Sequence, residues 1–105
     1  MKLQDVNKTK DDIKDMYNTY FYETFKRLDF IAETGEGSYI IAEDGKKYLD
    51  FMAGIAVNST GHCNKKVVDA MIAQCQSIIH ASNYCYTVPQ VMLAKLICDS
   101  IGMEK

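Results

Sequence analysis

Two β-forming runs, residues 38–42 and 46–51, flank Glu43-Asp44-Gly45, and this arrangement constrains the fold more than any other part of the chain. Asp-Gly between β-formers signals a hairpin, because glycine takes positive φ without steric cost. The hairpin runs straight into Ala53-Gly54-Ile55-Ala56-Val57-Asn58-Ser59-Thr60-Gly61-His62, a turn of small residues carrying two glycines. A backbone so bare can lie close to another surface or to a ligand. Beyond it, Val67, Val68, Met71, Ile72, Cys75, Ile78 and Ile79 form one broad stripe, with Lys65, Lys66, Asp69 and Gln76 away from it. That spacing predicts a helix over residues 65–79 lying on a core, with Asn64 placed to cap it.

The flanking regions read as helices. Ile13, Met16, Tyr17, Tyr20 and Phe21 recur at helical spacing, and Thr9 with Asp12 offers a capping box, which predicts a helix over 10–22. Phe30-Ile31-Ala32 begins a first strand. Thr87-Val88-Pro89-Gln90 combines a Thr/Gln capping box with a proline in the first turn of a third helix, and Gly102 is its stop. The expected fold class is α+β: a short antiparallel hairpin and about three helices, forming one folding unit or part of one, without repeats or low-complexity tracts.

Composition narrows the function classes. Twelve basic and fourteen acidic side chains give a net charge of -2, and no basic stripe gathers as a nucleic-acid partner requires. No apolar run approaches the ~20 residues of a membrane span, and the polar start MKLQDVNKTKDD lacks a signal peptide's apolar stretch. A cytoplasmic protein without a membrane partner is expected. Cys75 and Cys98 fall among apolar residues of predicted helices, where reduced cysteine acts as a small hydrophobe, so the cysteines read as free thiols. His62, Cys63, Cys75, His80 and Cys85 show no CxxC or HxxxH spacing, and no metal site is expected. His62 follows Gly61 where an imidazole can bond the turn; without a carboxylate or nucleophile adjacent in sequence, a structural role outweighs an acid–base one. Lys46, Lys47, Lys65 and Lys66 are too exposed by pattern for Schiff-base chemistry.

The segment GEGSYIIAEDGKKYLDFMAGIAVNSTGH, followed by HASNYCYTVPQ before the last helix, resembles the N-terminal quarter of the class III, pyridoxal-phosphate-dependent aminotransferases, and within them the acetylornithine branch. The resemblance covers about residues 30–101 and has two independent anchors. It implies a fold type I transferase in which residues 1–105 form the N-terminal portion, ending before the turn that holds the cofactor phosphate. The Schiff-base lysine, the acidic partner of the pyridinium and the substrate-carboxylate arginine lie downstream in that family. The resemblance therefore implies no catalytic or cofactor-binding residue here, and no binding of pyridoxal phosphate by these residues alone.

What it does imply is a substrate entrance near a subunit boundary, lined by Ile55, Val57, Asn58 and Tyr86. Related ornithine enzymes carry an aromatic hydroxyl at the Ile55 position; Ile55 has no polar handle and suits an acylated side chain better than a free ammonium. Ile55 also reads as ordinary core, and Tyr86 as an interface aromatic. Asn64-Lys65 departs from the family's His/Asn-Pro pair, Cys85 replaces an aromatic, and Tyr84 adds one. The implied reaction moves an amino group between an N-acetylornithine-like donor and 2-oxoglutarate in a homodimer. Ornithine, succinylornithine or γ-aminobutyrate as donor, and a non-catalytic self-associating module, stand as alternatives.

Overall fold

The computed structural model describes residues 1–103. In chain order it contains a 3-10 turn (Leu3–Val6), α1 (Lys10–Tyr20), β1 (Ala32–Glu36), β2 (Tyr39–Ala42), β3 (Lys47–Leu49), a one-turn α2 (Ala53–Ala56), α3 (Lys65–Ser77) and α4 (Val88–Ile101). It divides into two compact units, Met1–Val68 and a second beginning at Asp69.

In the first unit the Asp44-Gly45 turn closes the β2–β3 hairpin. Gly45 sits at φ 82°, the Asp44 carboxylate accepts the Lys46 amide at 2.9 Å, and the Ala42 amide donates to the Lys46 carbonyl at 2.9 Å. The strands are shorter than the β-forming runs because Lys46 belongs to the turn and Asp50 directs its side chain into the next segment. The hairpin is also part of a larger sheet, antiparallel and ordered β1-β2-β3. β1 starts where Phe30-Ile31-Ala32 ends, and it carries a bulge between Ala32 and Thr34. Phe30 instead stacks on Tyr48 at 4.3 Å between ring centroids. Ala42, 3% exposed, is the buried apolar residue at the centre, with Ile13, Tyr17, Ile31, Ile40, Ile41 and Tyr48 half-buried.

The N-terminal helix is capped as its sequence indicates: the Thr9 hydroxyl accepts the Asp12 amide at 3.1 Å, and Asp12 accepts the Thr9 amide at 2.8 Å. It ends at Tyr20, two residues before the expected limit, because Phe21 turns extended (φ -116°, ψ 144°) and stacks on Tyr17 at 5.0 Å.

Lys10 ties this helix to the sheet. Its ammonium lies 3.3 Å from both Asp29 and Glu43, and the Glu43 carboxylate accepts the Ile31 amide at 2.7 Å. Burial pulls the Lys10 ammonium toward a lower pKa, but Asp29 and Glu43 outweigh it and leave it raised. The Ile31 amide, ahead of the Lys10 ammonium, holds the Glu43 carboxyl below its ordinary range. A depressed carboxyl stabilises the fold above its unfolded value, about 4.3, and that contribution is lost as pH falls through the folded value. Glu43→Gln is therefore expected to lower the thermal midpoint at neutral pH, with the gap to the parent narrowing as pH falls below the unfolded value and closing below the folded one. A gap that stays constant on acidification would show that Glu43 acts through packing alone.

Toward the second unit, Asn64 Oδ1 accepts the Lys66 and Val67 amides at 3.1 and 3.4 Å, capping α3. α4 carries Pro89 in its first turn and closes on Gly102 at φ 69°. Thr87 makes no side-chain cap bond, so the expected Thr87/Gln90 capping box does not form; the Val91 amide reaches the Thr87 carbonyl at 3.2 Å instead. The α3 stripe was expected to lie on a core, yet Val67, Val68, Met71, Ile72, Ile78 and Ile79 are all exposed. Cys75 is likewise exposed and Cys98 only half-buried, though all four cysteines are free. Among the described residues no helix is long and apolar enough to cross a membrane.

Candidate functional site

The small-residue turn after the hairpin folds into an unusual backbone. Ala53, Gly54, Ile55 and Ala56 have φ of 46°, 62°, 63° and 65°, which makes α2 a single left-handed helical turn. The Ala56 amide reaches the Met52 carbonyl at 3.0 Å, and the Asn58 amide reaches that of Ala53 at 2.8 Å. Only Gly54 adopts this hand without a Cβ penalty. For the others the conformation costs roughly 1–2 kcal/mol per residue, and a β-branched residue such as Ile55 is a genuine outlier there. Strain of this kind persists only where its surroundings over-determine it.

Those surroundings centre on Asp50. One carboxylate oxygen, Oδ1, accepts the Met52 and Ala53 amides at 3.1 and 2.9 Å, at the start of the left-handed turn. The other, Oδ2, lies 2.7 Å from His62 Nε2. The Asp50 and His62 side chains are only 8% and 20% exposed. The His62 hydrogen bond first, then the Ala53 and Met52 amides, hold the Asp50 carboxyl below its ordinary range against the opposing effect of burial. With Asp50 ionised, Nε2 carries the proton and donates. His62 is fixed in turn by backbone bonds with Gly37, whose carbonyl accepts the His62 amide at 2.7 Å and whose amide donates back at 3.1 Å. Its ring packs on Gly35, where a Cβ would stand 2.7 Å from His62 Cβ and Cγ.

His62 was expected to bond the backbone of its turn; its ring instead meets a carboxylate twelve positions away in sequence, which adjacency could not reveal. Asp50, Gly35 and Gly37 were not among the residues singled out from the sequence. The visible trace was glycine on both sides of the contact, Gly35 and Gly37 before the hairpin and Gly61 after it.

The residues proposed for the entrance have different surroundings. Ile55 and Val57 are 84% and 80% exposed on the left-handed turn and just after it. Asn58 is half-buried, and a Cβ on Gly54 would come 3.3 Å from its Nδ2. In the second unit, residues around the Asn83-Tyr84-Cys85-Tyr86-Thr87 run enclose a hollow of about 240 Å³ whose lining includes Gln74, His80, Ser82, Asn83, Thr87 and Gln90. Tyr86 lies outside that lining and is 99% exposed.

The described residues do not by themselves fit pyridoxal phosphate. Every described lysine but Lys10 is exposed, and half-buried Lys10 is held as an ammonium by Asp29 and Glu43, the opposite of what Schiff-base chemistry needs. Lys10 and Lys14 are engaged with Asp29 and Glu43, and Lys95 with Asp99. The first amides of α3, where an anion would sit on a helix terminus, are taken by Asn64. Among the described residues no cluster of three or more His, Cys, Asp or Glu is arranged to hold a metal ion.

Comparison with known proteins places this arrangement. The sequence profile of the family described as "Aminotransferase class-III" matches residues 21–105. The chain is 43% identical over 91 residues to an acetylornithine aminotransferase of Methanocaldococcus jannaschii and 42% identical over 86 residues to one of Archaeoglobus fulgidus, with 87% and 82% of the chain covered. It spans 23% of the length of each of these relatives. Among solved structures, the acetylornithine aminotransferase of Elizabethkingia anophelis superposes with a TM-score of 0.87 at 22% identity, over 93% of this chain and 24% of that one. The adenosylmethionine-8-amino-7-oxononanoate aminotransferase of M. jannaschii does so with a TM-score of 0.77 at 30% identity, over 87% and 23%. With the profile extending over most of its length, the chain belongs to the class III aminotransferases.

Proposed function

We propose that residues 1–105 are the N-terminal portion of a pyridoxal-phosphate-dependent transaminase that moves an amino group between an N-acetylornithine-like donor and 2-oxoglutarate. The portion shapes the substrate entrance through Ile55, Val57, Asn58 and Tyr86 and contributes to a homodimer interface; the cofactor belongs to the complete enzyme. The left-handed turn that carries Ile55 outward is the observation on which this reading rests. Strained backbone clusters at binding sites, and here it mounts an apolar side chain where it can meet a ligand. Ile55 can pack on an acyl group and offers nothing to a free ammonium. Relatives named for acetylornithine support the same donor.

The test is Ile55→Tyr in an enzyme carrying this segment. The ratio of kcat/KM for N-acetylornithine to that for ornithine is expected to fall by about tenfold, the order that one pocket wall discriminates, with the cofactor spectrum unchanged. An unaltered ratio would remove the basis for placing Ile55 at the entrance.

A further inference from the structure

The left-handed turn belongs to a loop, residues 51–61, whose two ends are tied together at Asp50 and His62. Asp50 stands at the end of β3, where its amide donates to the Ser38 carbonyl at 2.8 Å. His62 is bonded through its backbone to Gly37, in the turn between β1 and β2. Both members of the pair are therefore mounted on the sheet. Asp50 divides its oxygens between the loop's two ends: Oδ1 holds the Met52 and Ala53 amides where the left-handed turn begins, and Oδ2 holds the His62 ring where the loop returns. Without the ring, the carboxylate loses the bond that sets its rotamer, and its hold on the two amides loosens with it.

We infer that Asp50 and His62, with Gly35 as the floor beneath the ring, are positioning residues for substrate selection: they hold the left-handed Ala53–Ala56 turn so that Ile55 is presented at a fixed place. The inference rests on Ile55 lining the entrance, as proposed above. Neither residue touches substrate. Their effect passes through the turn, so they act on recognition of the donor side chain rather than on the chemical step. Gly35 belongs to the same device because any side chain there would push the ring off Asp50: the atoms it would strike, His62 Cβ and Cγ, adjoin a backbone already bonded to Gly37 and cannot swing away.

The experiment uses a cofactor-loaded enzyme carrying this segment, with His62→Leu, His62→Gln and Gly35→Ala. His62→Leu is expected to speed amide hydrogen exchange by about tenfold or more across residues 52–58, as local opening of a held segment does. It is also expected to raise KM for N-acetylornithine by about tenfold while kcat stays within about twofold, the pattern of lost binding rather than lost chemistry. His62→Gln, which keeps a donor for Asp50, is expected to restore most of both. Should His62→Leu fail to fold, Gly35→Ala tests the same contact and is expected to behave as His62→Leu does. Unchanged exchange over 52–58 overturns the inference, as does a fall in kcat with KM unmoved. Ile55→Tyr measured alongside separates the two readings. A preference that answers to Ile55→Tyr and not to His62→Leu overturns the positioning role alone; a preference that answers to neither overturns the entrance reading as well.

Discussion

Purified as these 105 residues, the protein is expected to take up no pyridoxal phosphate specifically and to transfer no amino group above the rate of free cofactor in buffer. The physical reason is that no described lysine is set to have its pKa lowered and that the first amides of α3 are already taken by Asn64. A lysine becomes a nucleophile near neutral pH when burial or a neighbouring cation disfavours its charged form, and every described lysine but Lys10 is exposed. Lys10 is shifted the other way, toward a more persistent ammonium, by Asp29 and Glu43. Cofactor enzymes draw their chemistry from the cofactor, and the protein contributes its orientation and electronic tuning; a segment that supplies neither can only shape access. Absorbance with added cofactor checks the binding, and ketoacid release from an amino donor checks the reaction. A visible band at protein stoichiometry that disappears with the donor, with matching ketoacid, overturns the expectation.

The parts of this fold that could be read from sequence are those set by neighbours within a few positions. Asp44-Gly45 specifies its hairpin through one positive φ and one side-chain bond. Thr9-Asp12 and Asn64 specify helix starts in the same local way. β1 was only glimpsed at its first residue, because Thr34-Gly35-Glu36 has neither β-branching throughout nor clean alternation; its strand character comes from pairing with β2. Thr87 shows the converse, a local pattern left unused. Its box with Gln90 fits the sequence, but an extended Thr87 forms no side-chain cap. The candidate site was half legible. The turn stood out by its small residues, and the resemblance drew attention to Ile55. The left-handed hand of that turn and the Asp50–His62 pair were hidden, because handedness has no periodicity and the pair spans a loop.

The exposed stripes of α3 and α4 lead to the second large effect: at micromolar concentration the 105-residue chain is expected to self-associate. Periodicity marks an apolar stripe but not what covers it, and among the described residues Met71, Ile72, Leu93, Leu96 and Ile97 remain in solvent. The accessible surface is 9654 Å², whereas a compact monomer of 11.9 kDa would expose about 5,900 Å² by the scaling of area with mass. Treating the two units as separate compact bodies raises that figure only to about 7,100 Å², which leaves roughly 2,500 Å² in excess. A standard specific interface removes about 1,600 Å² in total from water, less than this excess. The exposed side chains along α3 and α4 are largely apolar; exposed apolar patches favour association, and a two-fold dimer is the commonest closed way to achieve it. Sedimentation velocity or light scattering across a dilution series gives the mass directly, and a hydrophobic dye reports what stays uncovered. A monomer at every concentration that also leaves the dye dark would mean that α3 and α4 cover their own stripes in solution, and the proposed interface role would fall with that result.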